Sequence, residues 1–99
     1  MSVEITSGED RYDIVVDGKP AGHLDTRTRP DAILFLHTEI SDDFAGQGLA
    51  GKLVTAALDD VRAKGRSVLP YCPYVRSFIA KHREYEDLVP EDKRAEFEL

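Results

Sequence analysis

The sequence has a single cysteine, no long apolar run and no cluster of basic residues. One cysteine excludes an intramolecular disulfide, and three histidines far apart in the chain argue against a zinc site. No stretch approaches the length of a membrane-spanning helix, and the N-terminus lacks the pattern of a signal peptide. The net charge of −6, with scattered basic residues, argues against nucleic-acid binding. We therefore expect a cytoplasmic protein with no metal, no nucleic-acid partner and no membrane partner.

The sequence has the composition of a globular domain. Its 99 residues are 41% hydrophobic and 32% charged, so they can bury an ordinary core but cannot build two domains. No internal repeat or low-complexity linker divides the chain. We predict a single domain over residues 1–99, whose charged end, about 90–99, forms a solvated or helical tail.

The first half of the chain is typical of antiparallel strands. Asp17-Gly18 is the dipeptide of a type I′ hairpin turn, and strand-like residues flank it on both sides. Pro20 and Gly22 indicate that the strand after this turn is an edge strand or contains a bulge. Three strands with short connections predict an antiparallel meander. The predicted strands are 11–16, 19–25 and 32–40, with a polar turn at 26–31.

The second half of the chain predicts two helices. Apolar residues repeat at three- and four-residue spacing from Leu49 onward, and Gly65 supplies a C-terminal stop. Pro73 suits the first turn of the second helix, with Cys72 at its N-cap. A short strand at 67–72 should lie parallel to the third strand, because a strand–helix–strand crossover usually makes its strands parallel neighbours. The predicted fold is α/β (α+β): a three-stranded antiparallel meander, a crossover helix, one parallel strand and a second helix.

A glycine-rich stretch between the third strand and the first helix predicts an anion site. Glycine lets backbone N–H groups approach a ligand closely, and a helix N-terminus carries partial positive charge. Gly46, Gly48 and Gly51 match the dinucleotide fingerprint, but the strands before them are predicted to be antiparallel and the next strand ends without an acid. The same stretch matches a Walker A loop as far as Lys52, but Leu53 stands where the motif needs a hydroxyl.

A third phosphate motif fits the context better. The GNAT superfamily of acetyltransferases carries a loop of the form Arg/Gln-x-x-Gly-x-Gly/Ala between a central strand and a long helix. Here the pattern falls on Ala45-x-x-Gly48-x-Ala50, where Ala45 removes a side-chain contact but leaves the backbone amides. Over about residues 10–89 the chain resembles the small, single-domain YjdJ-like N-acetyltransferase group of that superfamily. The segments that carry the resemblance are HTEI at 37–40, AALD at 56–59, LPYCPYV at 69–75 and KHREY at 81–85.

The resemblance implies an acyltransferase that uses acetyl-CoA, and so coenzyme A, as its substrate, without a metal, and acetylates an amine. It implies that the Ile40 backbone contacts the pantetheine arm and that Cys72 is the catalytic thiol near the thioester. The alternative is a non-catalytic module that binds coenzyme A or acyl-CoA and acts with a protein partner. The sequence does not identify the acceptor, which is an amine or a protein. The loop residues implied to hold the pyrophosphate are Gly46, Gln47, Gly48, Leu49, Ala50, Gly51 and Lys52.

Three side chains are candidates for the chemistry itself. Cys72 precedes a predicted helix, whose N-terminus favours a thiolate. It would either take the acetyl group or line the pocket while an amine attacks the thioester, unless it is a buried hydrophobic residue. His37 and Glu39 point to the same side of their strand because side chains alternate. Either could act as a general base, or the two could form a polar cross-strand contact on a half-exposed face.

Overall fold

A computed structural model describes residues 2–99 as a five-stranded mixed sheet with two helices on one face. The strands lie in sequence order, with β1 to β4 antiparallel and β5 parallel to β4. Helix α1 is the crossover between β4 and β5, which confirms the predicted fold class. The elements are β1 (Val3–Ser7), β2 (Arg11–Val16), β3 (Lys19–Thr28), β4 (Ile33–Ile40), α1 (Leu49–Ala63), β5 (Val68–Pro70) and α2 (Pro73–Lys81).

The strand prediction was incomplete at two places. The meander has four strands rather than three, because β1 pairs with β2 at the edge of the sheet. In addition, β3 continues to Thr28, through half of the segment 26–31 that was predicted as a turn. The side chain of Thr26 is buried and pairs opposite Phe35, which extends the strand into a polar sequence.

Two turns confirm the local signals in the sequence. Asp17 and Gly18 both have positive φ, 49° and 79°, as a type I′ hairpin requires. Gly65 has φ 69° just after α1, and the Arg66 amide donates to the Val61 carbonyl at 3.1 Å. This six-to-one bond is the Schellman arrangement that ends a helix at glycine.

A β-bulge in β4 decides which side chains face the helices. Leu36 has no partner on β3, because the neighbouring β3 residues pair with Phe35 and His37. Phe35 is fully buried, and the extra residue reverses the alternation that follows it. Thr38 is therefore partly buried on the helix side, whereas His37 and Glu39 are exposed on the other face.

The core lies between the sheet and the two helices. Helix α1 packs on β1 to β4, α2 packs on β4 and β5, and the two helices contact each other.

The C-terminal tail forms two short 3₁₀ turns, Glu91–Lys93 and Ala95–Phe97. It packs against the rest of the domain through the buried Phe97, whose ring meets that of Tyr71 edge-on at a centroid distance of 5.1 Å. Within residues 2–99 no helix is long and apolar enough to cross a membrane. The side chains that α1 buries are Leu49, Leu53, Val54, Ala57, Leu58 and Val61.

Candidate functional site

A row of unpaired backbone amides leads into α1. The first hydrogen bond of the helix runs from the Lys52 amide to the Gly48 carbonyl, at 3.3 Å. The amides from Gly46 to Gly51 precede it, and none of them donates to an oxygen of residues 2–99. Such groups at a helix N-terminus, together with the positive end of the helix dipole, form an anion site. The Lys52 amide is already used, so Lys52 can reach an anion only through its exposed ammonium.

Glycine is required in this loop for its backbone conformation. Gly46 and Gly48 have φ of 80° and 73°, a region that side-chain-bearing residues rarely adopt. A Cβ on either residue would have no heavy atom within 4 Å, so both glycines face open space. The side chain of Leu49, in contrast, is buried and anchors the start of α1 in the core. Gly46 and Gly48 therefore lie open to solvent beside a helix start that Leu49 anchors.

A gap opens between β4 and β5 beside this loop. The two strands pair only as far as Phe35 and Pro70, after which the Cys72 amide donates to the Phe35 carbonyl at 2.8 Å. The chain then enters α2, while β4 continues to Ile40 without a partner on that side. The predicted pantetheine contact, Ile40, thus lies on the part of β4 that borders the gap.

The structure places Cys72 at this gap. Cys72 is the N-cap of α2, and the residue is 3% exposed. The Tyr74 hydroxyl, two residues further on, would lie 3.8 Å from a Cβ on Gly51, so the first turn of α2 reaches the amide row. Sequence reasoning did not assign a role to Thr38, whose Oγ1 lies 3.4 Å from the Cys72 sulfur.

His37 and Glu39 lie on the opposite face of the sheet from that contact. His23 on β3 joins them: its Nε2 is 3.7 Å from the nearest oxygen of Glu39 and 3.6 Å from that of Asp25. The rings of His23 and His37 have centroids 6.3 Å apart. Glu39 thus lies in a polar cross-strand cluster with His23 and Asp25, and the general-base role of His37 or Glu39 stays a prediction. Among residues 2–99, no group of three or more histidine, cysteine, aspartate or glutamate side chains is arranged to hold a metal ion.

A surface groove extends from the amide row along α1. It has a volume of ≈ 550 Å³ and starts at Gly48 and Gly51. Its other lining residues are Lys52, Thr55, Ala56 and Asp59 of α1 and the stacked rings of Phe78 and His82, whose centroids are 4.2 Å apart. The groove adjoins the amide row, so a group attached to an anion bound there would lie beside it.

A hydrogen-bonded pair fixes α1 on the sheet. The Tyr12 hydroxyl donates to Asp60 at 2.6 Å, and Lys64 contacts the same oxygen at 2.9 Å. Burial, followed by the hydrogen bond to Asp60, raises the pKa of Tyr12 well above its usual range. The hydrogen bond from Tyr12, followed by that from Lys64, lowers the pKa of Asp60. The packing of α1 on the sheet therefore includes, near the C-terminal end of the helix, a contact that acid can weaken.

Comparisons with known proteins give the family and the fold to which this chain is similar. The family model of GCN5-related N-acetyl-transferases matches residues 11–88, whereas a search of curated proteins found no match. The NMR solution structure of a candidate GCN5-like N-acetyltransferase from Staphylococcus aureus is 25% identical, with a TM-score of 0.69 over 88% of this chain and 87% of that one.

Two longer enzymes share the fold at 21% identity and a TM-score of 0.58. One is the ribosomal-protein-S18-alanine N-acetyltransferase of Escherichia coli, with 65% of this chain and 43% of that chain covered. The other is the ribosomal-protein-alanine N-acetyltransferase of Brucella melitensis biovar Abortus 2308, with 81% and 62% covered. The matched residues, 11–88, make up most of the chain and include the glycine-rich loop, both strands beside the gap and Cys72. The chain therefore belongs to the family of GCN5-related N-acetyltransferases.

Proposed function

We propose that this domain transfers the acetyl group of acetyl-CoA to an amine, with the coenzyme pyrophosphate bound by the amides of Gly46–Gly51. The observation that carries this proposal is the row of amides without an acceptor at the start of α1. A diphosphate provides oxygens that such a row can bind, in a position that the helix dipole also favours. Membership in an acetyltransferase family makes acetyl-CoA the fitting source of that diphosphate.

The surroundings of the amide row are suited to the rest of the coenzyme. The pantetheine arm would enter the gap between β4 and β5 beside Ile40, where β4 has no partner. The nucleotide would follow the groove toward Phe78 and His82. Asp42 and Asp43 precede the loop, and their negative charges would repel the phosphates. The Lys52 ammonium opposes their effect and adds a charge-assisted contact to phosphate.

In this proposal, Cys72 is the nucleophile for the thioester. Its sulfur attacks the acetyl carbonyl, forms a new carbon–sulfur bond and breaks the bond to the coenzyme sulfur, which takes the proton that Cys72 gives up. The amine then attacks the acetyl group on Cys72, forms the carbon–nitrogen bond and breaks the bond to the Cys72 sulfur, which leaves as a thiolate. The amine gives up one proton to His37 or Glu39, and the return of this proton through solvent restores the thiol. Since these two side chains lie across β4 from Cys72, the amine would approach from the helix-free face.

The proposed acceptor is an amine, and the similar proteins do not identify which amine it is. The two enzymes named for ribosomal-protein alanine resemble this chain in fold at 21% identity, and their substrates are not transferred to it. The non-catalytic alternative, a coenzyme A- or acyl-CoA-binding module acting with a protein partner, is distinguished by the experiment below.

Intact-protein mass spectrometry after incubation with acetyl-CoA tests the mechanism. We expect one acetyl group on the wild-type protein and none on Cys72→Ala, which removes the single thiol of the chain. A calorimetric titration with coenzyme A is the control, and Cys72→Ala should bind as the wild type does. Equal acetylation of both proteins would exclude the acyl-enzyme. Acetyl-CoA binding without turnover on a panel of amines would instead favour the binding module.

A further inference from the structure

We propose that Thr38 is the positioning residue for Cys72, holding its sulfur at the gap between β4 and β5 through the Thr38 hydroxyl. Thr38 Oγ1 lies 3.4 Å from Cys72 Sγ, a distance at which a sulfur and a hydroxyl form a hydrogen bond. The proposal rests on the proposed function, because it assigns a role within the same site. Thr38 acts through the Cys72 sulfur and is not proposed to contact the substrate itself.

The bulge in β4 aims Thr38 at the thiol. Phe35 faces the core, so regular alternation would turn His37 toward the helices and Thr38 away from them. The extra residue, Leu36, reverses this order and leaves the Thr38 side chain facing Cys72. Bulges that re-aim one side chain are frequent next to active sites. The contact therefore depends on an irregularity of the strand.

The Thr38 hydroxyl and the N-terminus of α2 are the two features beside this sulfur that can support a charge on it. Cys72 is 3% exposed, so water contributes little to its solvation, and its own amide donates to the Phe35 carbonyl. A buried charge needs a hydrogen-bond donor. A hydroxyl can accept a hydrogen bond from the thiol and, after rotation, donate one to the thiolate. The contact with Thr38 can thus persist through ionisation, which keeps the sulfur in one position throughout the attack.

Substitutions at Thr38 separate the hydroxyl from the shape of the side chain. Thr38→Val removes the hydroxyl and keeps the branching, whereas Thr38→Ser keeps the hydroxyl. We expect the maximal rate of Cys72 acetylation to fall about tenfold in Thr38→Val, the effect of one lost hydrogen bond to a charged group, with the half-saturating acetyl-CoA concentration unchanged. Thr38→Ser should restore the rate. Thr26→Val is the matched control, since it removes a hydroxyl from a buried threonine of β3.

Alkylation of Cys72 by iodoacetamide gives a second readout that needs no coenzyme. It should be slowed in Thr38→Val and in Thr38→Ala, which also lacks the hydroxyl, and should proceed at the wild-type rate in Thr38→Ser. Wild-type alkylation rates in both hydroxyl-free variants would overturn the proposal, as would a serine variant as slow as valine. If the wild-type protein binds no acetyl-CoA, the proposed function fails, while the alkylation rates still decide the role of Thr38.

Discussion

Replacing Gly22 by alanine should damage both the sheet and the site. A Cβ at this position would collide with the Glu39 carbonyl oxygen and lie 2.6 Å from Cδ1 and 3.1 Å from Cα of Ile40. Two of these three atoms are backbone, so β4 itself must move. Overpacking of this kind costs about 1–3 kcal/mol, and the backbone contacts favour the upper end. For a domain of this size each kcal/mol lowers Tm by about 4–8 °C.

Urea unfolding followed by circular dichroism measures this loss. Gly8→Ala is the matched control, because its Cβ would meet only the Arg11 carbonyl oxygen, at an ordinary 3.6 Å. We expect Gly8→Ala to stay within about 0.5 kcal/mol of the wild type. Coenzyme A should also bind more weakly to Gly22→Ala, since Ile40 borders the gap. A Gly22→Ala variant as stable as Gly8→Ala would refute the claim that β3 and β4 need glycine at this contact.

Two further predictions concern charge. Tyr12→Phe should lower the free energy of unfolding by about 1 kcal/mol at neutral pH, because the acceptor Asp60 is partly exposed. Tyr12 holds the pKa of Asp60 below 3.8, so its contribution is present above that pH and is lost as pH falls through the folded-state value. Urea unfolding at several pH values should therefore show the two proteins converging below pH 3.8, and a constant difference would contradict the assignment. Lys52→Gln should weaken coenzyme A binding by about three- to fivefold, as for an exposed ion pair, and less at high salt. Calorimetry checks this, and a loss independent of salt would point to misfolding.

The elements with strong local signals were predictable from the sequence. The Asp17-Gly18 turn, the apolar spacing of α1 and the stop at Gly65 each depend on a few neighbouring residues, and the structure has all of them. The parallel placement of β5 followed from the crossover rule and is confirmed. The first strand was missed because an edge strand that buries little of its surface leaves a weak pattern.

The arrangement of the site was harder to predict. The alternation of side chains places His37 and Glu39 on the same side, but the apolar run before them does not show which face this is. That choice is made by the bulge at Leu36, which depends on pairing with β3 and has no signal in the sequence. The contact of Thr38 with Cys72 follows from the same bulge. The glycines predicted the anion-binding amides of the loop. They did not predict that the Lys52 amide bonds to the Gly48 carbonyl inside the helix and so is not free for an anion.

The most direct test of the proposed function is a titration with coenzyme A followed by the backbone amide resonances of ¹⁵N-labelled protein. The prediction is saturable binding with the largest shifts at Gly46–Gly51, the amides without an acceptor, and at the Ile40 amide beside the gap. The Lys64–Gly65 stop, at the opposite end of the 15-residue α1 from the loop, is the internal control and should not respond. Absence of saturable shifts, or saturable shifts confined to residues outside the loop and the gap, would contradict the proposed site.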